Sequence, residues 1–271
     1  MQCIETATGK IYFDVKTESL ARRKDFEQLC HSTFQSVIRA IEFLYDELNV
    51  VNYKLLPYNL QLIFITEYFR NNPSITSDDI EILKKWFWKT TYSNYFSVYS
   101  LSKQRKAFIK FQKFSRHEID EPLYVDKKIN LVISDFPKTI YFGSVRSKAL
   151  ALFLIKSVVE NNPNLDSKEI DDFYSLNPPD KDAEFVFPKF QNLDYQNFRF
   201  SNFKKVKDYS FIMEGDAYNF DYKANFIDKN MIDNPSKLGK LRYEKIKNSE
   251  MKFVESLGDV ETDAKNDFWR Y

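Results

Sequence analysis

The chain has 271 residues, 43% apolar and 29% charged, with 40 Lys and Arg against 39 Asp and Glu. This is ordinary globular composition, and a net charge of +1 leaves no global field to attract nucleic acid, so such contact requires a local patch. Only five glycines occur and no two share a loop, which removes the Gly-rich dinucleotide and phosphate-loop patterns.

Cys3 and Cys30 are the only cysteines. They form neither a zinc spacing nor a disulfide framework and suit a reducing cytosol, the expected location. The N-terminus has no apolar signal core, and no stretch approaches the ~18 apolar residues of a membrane span, so no membrane association is expected.

Residues 9–16 read as a short strand or an extended entry segment. A helix from about Arg23 to Leu48 follows, with Phe34, Val37, Ile38, Ile41, Leu44, Tyr45 and Leu48 at helical spacing. Pro57 suits the first turn of the next helix, which is apolar on most faces up to Arg70 and therefore reads as central. Asn71-Asn72-Pro73 ends it. Thr76, three residues before Asp79, starts another helix in capping-box fashion. That helix carries Ile80, Leu83, Trp86, Phe87 and Trp88.

Ser102 to Phe114 predicts a further helix. His117 to Pro137 reads as a loop with a short strand at Leu131-Val132-Ile133. Ser144 to Glu160 is strongly helical. Residues 161–170 echo 71–80, each opening Asn-Asn-Pro, a likeness that turns between helices commonly show and that a duplication would also produce. Asn177-Pro178-Pro179-Asp180 is a breaker cluster. It suggests a helical domain at 1–176 and a C-terminal region at 177–271, with one helix from Pro235 to Asn248 running on towards Leu257. The expected fold class is mainly α, with a few short strands and a less regular α+β C-terminal region.

Catalytic residue types are scarce. His31 and His117 are the only histidines. A histidine zinc site or a Ser/His/Asp triad needs more, or needs one oriented by an acid. His31 reads as a partly buried helix residue, and His117 as a surface residue suited to phosphate contact. Asp78-Asp79 and Asp171-Asp172 sit in first turns, where the helix dipole favours negative charge. Asp180, Asp182 and Glu184 resemble part of a metal-dependent nuclease pattern, but its lysine is replaced by Val186 or Phe187.

The basic run Lys103, Arg105, Lys106, Lys110, Lys113 and Arg116 contains no acid. Phe108, Phe111 and Phe114 interleave on another face, so lysines can meet phosphate while the rings pack inward. The alternative is a solvated face that merely covers core. Lys204, Lys205 and Lys207 form a second patch. Lys237, Lys240, Arg242, Lys245 and Lys247 form a third. Trp86 and Trp88 point about 200° apart on a helix, so both are buried only if that helix is covered on two sides. Packing explains them better than base stacking does.

Leu55-Leu56-Pro57-Tyr58-Asn59-x-Gln61-Leu62, followed by Leu83-x-x-Trp86-Phe87-Trp88-x-Thr90-x-x-Ser93, resembles the middle region of GmrSD-type restriction proteins. These are anti-phage systems that attack modified DNA. Arg146-Ser147-Lys148-Ala149-Leu150-Ala151 is similar to an Arg-bearing helix that follows there. The resemblance covers about Phe26 to Lys156.

The resemblance implies a ParB-like N-terminal domain carrying Asp-Gly-Gln-Gln-Arg. This motif does not occur here, so a ParB-like partner protein or domain is expected instead. It also implies an HNH nuclease opening with His-His-Ile-Phe-Pro-Lys. Glu184-Phe185-Val186-Phe187-Pro188-Lys189 stands in that place, with both histidines replaced. An HNH site needs its histidine as general base and ligands for its metal. A degenerate remnant is therefore expected, with no catalytic residue, no metal and no cofactor. The expected function is a non-catalytic module that binds DNA or a partner subunit. A carboxylate nuclease using Asp180 and Glu184 is one alternative, and a scaffold or toxin–antitoxin partner is another.

Overall fold

The computed structural model describes residues 1–14, 17–125, 143–161, 226–232 and 238–258. Among these residues the chain is helical, with no strand. The helices are α1 (Gln2–Ala7), α2 (Thr17–Ala21), α3 (Phe26–Asp46), α4 (Asn59–Asn71), α5 (Ser77–Tyr92), α6 (Tyr95–Val98), α7 (Leu101–Ser115), α8 (Val145–Asn161), α9 (Lys229–Ile232) and α10 (Leu238–Ser256). A short 3-10 turn spans Tyr53–Leu55. The expected boundary at 176/177, the strand at 131–133 and the echo at 162–170 lie outside the described residues.

The chain divides into two compact units, one of residues 1–48 and 58–131, the other of 49–57 and 132–271. In the first, α4 is central and packs on α1, α3 and α7. Ile63, Phe64, Ile65, Thr66, Glu67, Tyr68 and Phe69 are all buried, as an all-round apolar helix requires. Phe64 stacks on Trp86 at 5.5 Å and 21°. It meets Phe96, Phe108 and Phe111 edge to face at 5.3, 5.0 and 5.1 Å. Each such pair adds about 0.5–1.5 kcal/mol beyond its buried area. Trp86 and Trp88 are both buried. They serve different neighbours: Trp86 lies against Phe64 and Phe111, whereas Trp88 stacks on Tyr92 at 6.0 Å.

In the second unit, α8 packs against the 3-10 turn and α9 packs against α10. Phe153 sits between Phe226 (5.8 Å) and Phe253 (5.5 Å). Arg146 and Glu250 form a two-bond ion pair at 2.7 and 2.6 Å, with Glu250 fully buried. Lys148 Nζ donates to Leu56 O at 2.7 Å, and burial lowers its ammonium below the ordinary lysine range.

Several expectations are corrected. After α1, residues 9–14 turn through Gly9 (φ +80°) and a bond from Asp14 N–H to Ile11 O, where a strand or extended entry was expected over 9–16. No neighbouring strand exists among the described residues to pair with it. Pro57 lies before α4 rather than in its first turn. The start is set by Gln61, whose Oε1 accepts from Tyr58 N–H at 3.2 Å and holds that residue as the cap. His31 lies on α3 but is exposed, not partly buried. Thr76 does cap α5, accepting from Asp79 N–H at 3.1 Å.

Candidate nucleic-acid interface

Two of the stretches behind the family resemblance, Tyr58–Leu62 and Leu83–Ser93, meet inside the first unit. Gln61 is wholly buried, and its Nε2 donates to Phe87 O (3.1 Å), Thr90 Oγ1 (3.0 Å) and Thr91 Oγ1 (3.0 Å). Both threonine hydroxyls also donate to Phe87 O. One amide therefore joins the Tyr58–Leu62 stretch to the Trp-Phe-Trp-Lys-Thr-Thr stretch. This is a structural lock with every polar atom internal, and it leaves nothing facing a ligand.

The basic run lies on α7 as expected, with Phe108, Phe111 and Phe114 buried. Its six cations are not equivalent. Arg105 Nη2 bonds Asp14 at 3.1 and 3.3 Å, and its guanidinium lies 5.2 Å from the Phe13 ring. Lys110 is partly buried and donates to Leu123 O at 2.9 Å, bracing the segment after α7. Lys103 is partly buried with its ammonium 5.8 Å from the Tyr99 ring. Lys106, Lys113 and Arg116 are exposed. Lys113 and Arg116 also stand at the negative end of the α7 dipole, a placement favourable without any ligand.

The polar residues between the cations hold α7 in place. Gln104 Nε2 donates to Phe96 O (3.1 Å) and Tyr99 O (3.0 Å), while its Oε1 accepts from Tyr12 OH at 3.0 Å. Burial pushes the Tyr12 phenol up to about 12, so it stays a donor at every physiological pH. Gln112 Nε2 donates to Glu67 Oε1 at 3.0 Å.

His117 has a structural role. It sits just past α7 in the left-handed region (φ 55°). Its N–H bonds Phe114 O at 2.8 Å, and Glu118 N–H bonds Lys113 O at 2.9 Å, the paired bonds of a Schellman ending. Its ring bonds Asn72, although phosphate contact was expected. Arg242, a member of the third run, is buried, which takes it out of any solvated patch. In the same run Lys245 pairs with Asp228 at 2.6 Å. Lys204, Lys205, Lys207, Lys237, Asp180 and Glu184 lie outside the described residues.

Among the described residues no group of three or more His, Cys, Asp or Glu is placed to hold a metal ion. No helix among them is long and apolar enough to cross a membrane. Comparison with family models, curated proteins and solved structures finds no match to this chain.

Proposed function

We propose that the chain is a non-catalytic helical module of a restriction-like defence protein and that it contacts DNA through α7. The single observation supporting this is the exposure of Lys106, Lys113 and Arg116 on a helix that carries no acid. Cationic side chains on a rigid scaffold neutralise phosphates and release counterions. Lys204, Lys205 and Lys207 belong to this reading as a second patch. The ParB-like partner and the defence setting come from the family resemblance alone.

The test is a gel-retardation assay at low salt with Lys106→Glu, Lys113→Glu and Arg116→Glu combined. Loss of retardation supports the assignment, and unchanged retardation removes it. Lys110 is left intact because its bond to Leu123 O gives it a structural duty. Co-purification of a ParB-like protein from the native host tests the partner.

A further inference from the structure

We infer that α7 grips the phosphate backbone of duplex DNA without reading base identity or base modification, an inference that rests on the reading above. Beyond Leu101, which is exposed at the helix start, the exposed residues of its outer face are Ser102, Arg105, Lys106, Ile109, Lys113 and Arg116. At 100° per residue they fall within an arc of about 100°. That arc contains no amide and no aromatic ring.

Both absences have visible causes. Bases are read in the grooves by amides and by arginine forks, and single strands are held by stacking on aromatic rings. The two amides of α7, Gln104 and Gln112, are committed to Phe96, Tyr99, Tyr12 and Glu67. The three rings of α7 are buried in the core of the unit. Arg105 is engaged by Asp14. What remains is two lysines, which act as point charges, and Arg116 at the helix end. Along the axis, Lys106 and Arg116 are ~15 Å apart at 1.5 Å per residue. That length matches ~4 base pairs at 3.4 Å each, a footprint for about three phosphates.

The experiment is fluorescence anisotropy with the full chain across a salt series. The probes are two duplexes of unrelated sequence and one bearing 5-hydroxymethylcytosine throughout. The expected result is equal affinity within about twofold, with a log–log salt slope near −2.7 from about three contacts at 0.9 each. The Lys106→Glu, Lys113→Glu and Arg116→Glu combination should lower all three affinities alike. A control with Lys24→Glu, Lys85→Glu and Lys252→Glu carries the same charge change at exposed sites off α7 and should bind as the parent does. A tenfold preference for one duplex that disappears in Arg116→Lys would overturn the inference and leave the DNA-binding reading standing. Absence of binding to every duplex, or equal loss in the control, would overturn both.

Discussion

The Asn72 side chain ties the end of α4 to the end of α7 through His117. Asn72 Nδ2 donates to Tyr68 O (3.0 Å) and Ser115 O (2.7 Å), which leaves Oδ1 to accept from His117 Nε2 at 2.7 Å. An amide oxygen only accepts, so the ring proton is on Nε2. Asn72 is buried, and the two helices it joins also meet through a stacked Tyr68–Phe114 pair at 5.8 Å. Asn72→Ala removes three bonds and strands Ser115 O. The expected cost is about 2–3 kcal/mol, read as a lowered urea midpoint at unchanged slope.

His117 supplies a contrast at the same place. His117→Gly relieves the left-handed backbone by about 1 kcal/mol but loses a bond of similar worth, so stability should move little. His117→Val loses the bond and adds strain, and should cost about 2 kcal/mol or more. Equal midpoints for the two variants would refute this account of the turn.

Gln61 gives a test with a pH signature. Gln61→Glu places a carboxylate against Phe87 O and two threonine oxygens, where the amide donated. Gln61→Ala should cost about 2–3 kcal/mol for lost bonds and unsatisfied partners. Gln61→Glu should cost more at neutral pH and recover as pH falls, because only a protonated carboxyl can donate there. Stability of both variants measured from acid to neutral pH decides this.

Glu67 sets the sign of a pH dependence in the wild-type chain. Burial raises its carboxyl above the ordinary glutamate value of 4.5, outweighing Arg70, Gln112, Arg116 and Thr6. Burial also lowers the Arg70 guanidinium, so both members of the pair are penalised. A raised folded value means that the folded state holds its proton longer than the unfolded state. The stability contribution is full below the ordinary value and is lost as pH rises through the folded value. Glu67→Gln removes the titration, so the variant should gain on the wild type as pH rises from 4.5 through that window. A variant that loses ground to the wild type as pH rises would contradict the burial argument.

Arg146 and Glu250 form a largely buried ion pair in the second unit. With Glu250 buried and both oxygens bonded to Arg146, Glu250→Ala should cost about 3–5 kcal/mol by leaving the guanidinium without its carboxylate. Pairing it with Arg146→Met should recover much of that loss. A double-mutant cycle on denaturation midpoints measures the coupling.

Asp14 offers a gain of function. Asp14 and Arg105 are both about half exposed, so breaking their pair should change stability little. Asp14→Asn releases Arg105 onto the outer face of α7. DNA affinity at low salt should rise, and the salt slope should steepen by about 0.9 for one added phosphate contact. An unchanged slope would show that Arg105 does not face DNA.

Most helices were legible in the sequence because burial follows the 3.6-residue period. α3, α7 and α8 begin and end within a few residues of their expected bounds, and α5 begins where expected. The Thr76 cap was legible because it is local, three residues from its partner. What escaped depended on distant partners. Arg105 looked like any other cation of its run, yet Asp14 holds it from 91 positions away. Gln61 looked like an ordinary polar residue of an apolar helix, yet it reaches 26 to 30 positions ahead. The structural bond of His117 escaped for the same reason, since Asn72 lies 45 positions before it.

The helical class follows from residue order alone, because the spacing of apolar residues decides which face of each helix leaves water. So do the basic outside and aromatic inside of α7. Which of its cations are available emerges only from the folded chain. Availability depends on whether an acceptor from another part of the chain lies within hydrogen-bonding distance, and that follows from packing rather than from residue order.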